Sequence, residues 1–230
     1  MTLFLRNVLF SLLFYLGSTV LVLAAALRTL VSRREAQKGA ALWSRYVIWL
    51  ASAVLGIRME IEGEIPAGAV IVAPKHQSNY ETLALPSLFP WPAVVMKAEL
   101  MRIPVWGWIA RRHGSVPVDR EAGGAAMRAM LRAAEQARAE DRQIVIFPEG
   151  TRTPPGEAPP LRPGVAGLYR LLKMPVVPVA LESAHVWPRK GLKRPGTVRL
   201  RFLPLIPAGL KRPEFEARLH AAINMGTGTA

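Results

Sequence analysis

The chain has 230 residues, enough for one hydrophobic core or a core with an appendage. Hydrophobic residues make up 51%, and 30 Lys and Arg against 16 Asp and Glu leave a formal net charge of +14, which favours polyanionic partners: nucleic acid, anionic lipid or an acidic carrier. Cysteine is absent, which excludes disulfides, thiolate metal sites and a thiol nucleophile.

The first predicted element chooses among those partners. Val8 to Leu27 is uncharged and strongly apolar, long enough as a helix to cross a hydrocarbon core of about 30 Å. Arg28, Arg33, Arg34 and Lys38 follow it, against Arg6 and the terminal amine before it, so the positive-inside rule places the remainder on the cytoplasmic side. A secretory signal is the rival, because Ala24-Ala25-Ala26 resembles a cleavage site. The run is long for a signal, and the basic residues behind it disfavour translocation. The expectation is an anchor in the cytoplasmic membrane, with lipid rather than nucleic acid as the partner. A second segment, Ala41 to Ile57, holds Trp43, Tyr46 and Trp49 with Arg45 as its one charge. Its uncharged part is short for a span and suits an interfacial or re-entrant helix, or a helix of the core. The predicted domains are therefore 1–56, membrane-anchor and interfacial helices, and 57–230, a catalytic domain.

From Arg58 onward short apolar runs alternate with helical stretches, a βα pattern that predicts an α/β fold with a largely parallel sheet flanked by helices. Predicted strands are Ala69–Ala73, Ala93–Met96, Ser115–Val118, Ile144–Phe147, Pro175–Leu181 and Val198–Leu205. Predicted helices are Glu81–Leu88, Glu121–Glu140 and Pro213–Asn224. In the second of these Met127, Met130, Leu131 and Ala134 recur at helical spacing and read as core. Thr153 to Pro163, with prolines at 154, 155, 159, 160 and 163, reads as a loop over the cleft. There is no Gly-rich phosphate fingerprint and no metal-ligand spacing.

Four of the strand runs end in groups suited to chemistry: Pro74-Lys75-His76, Lys97, Asp119-Arg120 and Pro148-Glu149-Gly150-Thr151-Arg152. In an open α/β sheet, ligands bind outside the carboxyl ends of parallel strands. If the four are parallel neighbours, a base, a carboxylate and several cations share one cleft suited to an anionic substrate. Within the first group, a turn from loop to helix brings the His76 imidazole to the Glu81 carboxylate, which fixes the tautomer and stabilises an imidazolium. Ser78 with Glu81 also reads as a capping box, and Ser78 as a helix cap rather than a nucleophile. In the last group the Gly150 turn exposes backbone N–H groups and Arg152 offers a donor fork for phosphate.

Together these residues resemble the glycerolipid acyltransferases, specifically the 1-acyl-sn-glycerol-3-phosphate (lysophosphatidic acid) acyltransferase family. That family carries Asn-His, four residues, then Asp; the chain has Lys75-His76 and Glu81. Its Asp-Arg block resembles Gly114 to Arg120, with imperfect spacing. Phe147-Pro148-Glu149-Gly150-Thr151-Arg152 matches the third block unchanged, Val176 to Val179 is similar to the fourth, and Lys97 matches a family lysine associated with substrate phosphate.

The resemblance implies acyl transfer from a thioester, acyl-CoA or an acidic acyl carrier protein, to the 2-hydroxyl of lysophosphatidic acid, with phosphatidic acid as product. It implies His76 as general base with Glu81 as its orienter. Lys97, Arg120, Glu149, Gly150, Thr151 and Arg152 would form the substrate-phosphate site, and no metal or dissociable cofactor is implied. Glu81 in place of Asp departs from the pattern; so does Lys75 in place of Asn, whose cation is expected to add to the anion site. Other readings stay open: lyso-ornithine lipid as acceptor, a lipid ester hydrolase, or a non-catalytic lipid-binding protein. Ile103 to Ile109, with Trp106 and Trp108, suits the interface, the wall of an acyl tunnel, or ordinary packing. Arg189, Lys190, Lys193, Arg194, Arg199 and Arg201, with no acid among them, suit anionic lipid or an acidic carrier, or form a solvated face.

Overall fold

The apolar N-terminal run forms one long helix, α1 (Leu3–Val31), started by Thr2, whose hydroxyl accepts from Leu5 N–H. Ser32 alone, in extended conformation, separates it from α2 (Arg33–Leu50) and caps the latter by accepting from Glu35 N–H. The two helices fold back on each other. Tyr46 donates to the Leu13 carbonyl at 2.6 Å, and its ring lies over Gly17, where a Cβ would sit 2.1 Å from the hydroxyl. Only glycine permits that approach. A π-helical turn, Ala51–Leu55, and Gly56 in the left-handed region then release the chain into the sheet.

The structure is a computed structural model and describes residues 1–118 and 123–226. Its strands are β1 (Ile57–Glu62), β2 (Ile71–Pro74), β3 (Ala93–Lys97), β4 (Val116–Val118), β5 (Ile144–Val145), β6 (Val176–Leu181) and β7 (Gly196–Phe202). They form one sheet in the order β1-β7-β6-β2-β5-β3-β4. From β6 to β4 every pairing is parallel; β7 runs antiparallel to β6, with β1 parallel to β7. The central strands β2, β5 and β6 are buried throughout, as a parallel sheet covered on both faces requires.

Adjacent residues of one strand point to opposite faces and divide the core in two. Val72, Val145 and Val179 pack with Phe10 of α1, with Leu50, Ala51 and Leu55, and with Tyr80 of α3 (Tyr80–Ala84). Ile71, Ile144 and Val176 pack against α5 (Gly123–Ala139), α6 (Pro163–Leu172) and α7 (Arg212–Ile223). Between β3 and β4 runs α4 (Trp106–His113), whose Ile109 meets Ala25 and Ala36 of the hairpin.

The departures from the predicted elements are local. α3 gives way at Ala84 to a 3₁₀ turn, Leu85–Ser87, because Pro86 lacks the N–H that a continuing helix needs. α6 was not anticipated: Pro163 closes the proline-rich loop and is also the first residue of a helix, a position proline favours. β1 was not anticipated either; it is an edge strand with mostly solvated side chains, Arg58-Met59-Glu60, and lacks the apolar run that marks the others.

Candidate active site

His76 leaves the carboxyl end of β2, and its ring Nδ1 lies 2.8 Å from Glu81 Oε1. Glu81, on the first turn of α3, is fully buried. Its Oε1 also accepts from the backbone N–H groups of Gln77 and Ser78, at 2.6 and 2.7 Å, and its Oε2 from the hydroxyls of Ser78 and Ser183, at 2.9 and 2.7 Å. An acceptor so placed requires the imidazole proton on Nδ1 and leaves Nε2 as the free base. The imidazole side chain is 14% exposed, stacks on Phe147 at 4.2 Å between centroids, and borders a cavity.

Capping and orientation are one arrangement here. Glu81 reaches back to Ser78 N–H as in a capping box, while the Ser78 hydroxyl accepts from Tyr80 N–H and donates to the same carboxylate. Ser78 is buried and fully engaged, but the cap position of α3 is Asn79, so Ser78 serves the turn that leads into the helix.

The residue before His76 differs from the expectation. Lys75 is fully buried and does not reach the anion site. Its Nζ donates to Glu149 Oε1 at 2.7 Å, to the Glu157 carbonyl at 2.9 Å and to Asn224 Oδ1 at 2.6 Å. Desolvation forces such a pairing, since a lone buried ammonium would be prohibitive. Glu149 is buried too. Its second oxygen accepts from His76 N–H at 2.9 Å, and Thr153 N–H donates to the His76 carbonyl at 2.7 Å. Glu149 thus braces the histidine backbone and turns no oxygen towards a ligand.

The remaining residues of that turn face the cavity. Gly150 adopts φ 65°, a conformation that favours glycine, and Arg162 lies so close that a Cβ there would meet its Cγ at 2.9 Å. Thr151 and Arg152 line the opening, and Arg152 donates to Asn79 Oδ1 at 3.2 Å. Lys97, exposed at the end of β3, lines the same opening. Arg120 lies outside the described residues.

The cavity has a volume of about 1030 Å³ and two unlike ends. Its depth is walled by Val22 of α1, Trp43 of α2, Trp106 and Ile109 of α4, and Met127 and Met130 of α5. Its mouth carries His76 with Lys97, Arg152, Arg162 and Arg189, and among the described residues no carboxylate lines it. A hydrocarbon chain fits the first part and an anion the second. Of the run Ile103 to Ile109, Trp106 and Ile109 line this cavity, whereas Ile103 and Val105 point to solvent.

Ser183, Arg162 and Lys75's structural role were not read from the sequence. Ser183 follows the β6 run as His76 follows β2, so the strand-end rule extends to it.

The chain is similar to known proteins in sequence and in fold. The acyltransferase family profile matches residues 56–182. The 1-acyl-sn-glycerol-3-phosphate acyltransferase of Pseudomonas aeruginosa is 32% identical over 77% of this chain and 70% of its own length. The 1-acyl-sn-glycerol-3-phosphate acyltransferase alpha of Ovis aries is 30% identical over 70% of this chain but 59% of its own length. The crystal structure of the 1-acyl-sn-glycerophosphate acyltransferase PlsC from Thermotoga maritima superposes with a TM-score of 0.77 over 98% of this chain and 96% of that one. At 21% identity that likeness speaks to the fold.

Proposed function

The chain belongs to the acyltransferase family, and from that premise we propose that it moves a fatty acyl group from a thioester, acyl-CoA or acyl carrier protein, to the 2-hydroxyl of lysophosphatidic acid, giving phosphatidic acid. One observation carries this reading: Nε2 of a carboxylate-paired histidine lies where an apolar cavity meets a rim of cations without acids.

The chemistry follows from that placement. His76 Nε2 takes the proton of the acceptor hydroxyl as its oxygen attacks the thioester carbonyl. The buried Glu81 carboxylate stabilises the imidazolium so formed. The tetrahedral intermediate collapses, the carbon–sulfur bond breaks, and the proton on Nε2 passes to the departing thiolate. The steps balance without a metal or dissociable cofactor. Lys97, Arg152 and the neighbouring Arg162 hold the acceptor phosphate, with Thr151 beside them. Gly150 and Glu149 shape that turn, and Arg120 is proposed with them as a further phosphate cation. The acyl chain enters the apolar part of the cavity.

The protein works at a membrane. One described helix, α1, is long and apolar enough to cross a bilayer. Its Leu12, Leu16, Val20, Leu23 and Leu27 are exposed, as is Trp49 of α2 at 63%. Near its start Asn7 exchanges two hydrogen bonds of 2.9 Å with the Lys193 backbone, and near its end Thr29 meets Arg112. With both ends against the catalytic body, the outer face of the hairpin enters lipid and the cavity opens towards the headgroups. We place the body on the cytoplasmic face, where thioester donors are made. Cleavage as a secretory signal would remove Phe10 from the core, which argues against that reading.

An acyl-transfer assay decides it. Purified protein given a long-chain thioester should acylate lysophosphatidic acid in preference to lyso-ornithine lipid or monoacylglycerol. Free fatty acid released at the same rate without acceptor would make it a hydrolase. Lysolipid binding without turnover would make it a lipid-binding protein.

A further inference from the structure

Five parallel strands bring their carboxyl ends to one rim, and sheet order sets the sequence of groups along it. From β6 to β3 these are the loop bearing Arg189, then His76, then Gly150 to Arg152, then Lys97. The general base therefore has cations on both sides. Arg152, Arg162 and Lys97 lie towards β5 and β3; Arg189 comes from the opposite flank.

The loop after β6 is firmly built. Trp187 is buried and meets Phe10 edge to face at 5.4 Å. Lys193 folds inward, its ammonium 4.9 Å from the Trp187 ring and 5.5 Å from that of Phe10, and burial lowers its pKa. Asn7 ties the Lys193 backbone to α1, and at the root the Ser183 hydroxyl donates to Glu81. Of the basic residues in this region, Arg199 pairs with Glu60 and Arg201 with Glu62. Arg189 is exposed, lines the cavity mouth and has no carboxylate partner among the described residues.

The proposed reaction joins two phosphate-bearing substrates whose leashes differ. In lysophosphatidic acid the phosphate sits on the carbon next to the reacting one, so it must lie close to His76. Arg152, hydrogen-bonded to Asn79 in the same loop as His76, is the near cation. In the acyl donor the whole pantetheine arm separates phosphate from thioester. Two anions that repel each other are best held on opposite flanks. We infer that Arg189 holds the pantetheine-bound phosphate of the donor's phosphopantetheine arm, on the side of His76 away from the acceptor phosphate. This rests on the acyl-transfer reading above.

Coenzyme A and acyl carrier protein share the phosphopantetheine arm, so the test uses both together with acyl-pantetheine, which lacks the phosphate. Arg189→Ala should raise KM for acyl-CoA and for acyl carrier protein about ten-fold, the loss of roughly one charge-assisted contact. It should leave KM for lysophosphatidic acid unchanged and make no difference with acyl-pantetheine. Arg189→Lys should restore part of the donor affinity as a point charge. The exposed position makes an unaltered melting temperature the expected control. A rise in the lysophosphatidic acid KM, or an equal loss with acyl-pantetheine, would overturn the assignment. A loss confined to acyl-CoA would point to its nucleotide phosphates, and one confined to carrier protein to its acidic surface; either outcome overturns it too. Wild-type protein inactive with every donor would instead sink the acyl-transfer reading itself.

Discussion

Lys75 Nζ donates to Asn224 Oδ1 at 2.6 Å, so the residue beside His76 is tied to the end of the C-terminal helix. The same ammonium neutralises Glu149, and Glu149 in turn accepts from His76 N–H. The turn after β5 and the helix α7 thereby fix the backbone from which the His76 imidazole projects.

Lys75→Met should be severe for stability, because it strands the buried Glu149 carboxylate. Breaking one partner out of a buried ion pair costs about 3–5 kcal/mol. Asn224→Ala, which removes one acceptor and leaves the pair, should cost about 1–2 kcal/mol. Chemical denaturation of both variants checks the order. A stable Lys75→Met protein with only a raised lysophosphatidic acid KM would return Lys75 to the anion site.

Glu81→Gln separates charge from hydrogen-bonding shape. The amide oxygen can still accept from Gln77, Ser78 and Nδ1, but the Ser78 and Ser183 hydroxyls must turn to accept from an NH₂. A stability loss of about 1–3 kcal/mol is expected. The loss of turnover should be far larger, about 10²–10⁴-fold and close to that of His76→Ala, since an amide cannot stabilise the imidazolium. Glu81→Asp should fall between, because a shorter arm cannot keep all of the oxygen contacts. Full turnover by folded Glu81→Gln would reduce the carboxylate to a helix cap.

Arg152→Ala should act on the acceptor alone. Losing a charge-assisted bond to phosphate costs about 1.5–3 kcal/mol in kcat/KM for lysophosphatidic acid. Its one hydrogen bond among the described residues is to exposed Asn79, so folding should be unaffected. Unchanged efficiency at saturating thioester would remove Arg152 from the phosphate site.

Tyr80→Phe is expected to be neutral or to stabilise by about 1 kcal/mol. The Tyr80 side chain is fully buried against Trp187, no group among the described residues bonds its hydroxyl, and burial pushes its pKa up. A marked drop in melting temperature would show that the hydroxyl does make a stabilising contact in the folded protein.

The N-terminal helix should keep the protein with membranes through an alkaline wash, and protease should reach the body only in inverted vesicles. Recovery of a soluble form beginning near Leu27 would instead show a processed signal.

Much of this was written in the residues. Parallel strands buried on both faces must be continuous apolar runs, so Ile71 to Ala73, Ile144 to Ile146 and Val176 to Leu181 announce themselves, and the polar groups behind them mark the rim. His76 and Glu81 are close in sequence, so a single turn suffices to join them and local spacing foretold the pair. Edge strand β1 escaped because a solvated strand carries no apolar signature; α6 escaped although Val165, Ala166, Leu168, Tyr169 and Leu172 recur at helical spacing, because the proline-rich run that ends in Pro163 reads as loop. Sequence could not tell Lys75 from Lys97: both are lysines at strand ends. Only the tertiary structure sends one inward to Glu149 and Asn224 and leaves the other at the cavity mouth. Ser183 on Glu81, Arg189 across the rim from Lys97, and α1 laid along the α/β body likewise join residues distant in the chain. Long-range pairing follows from sheet order and helix packing, which no local pattern encodes. Desolvation then decides which charges must find partners and which stay free for a ligand.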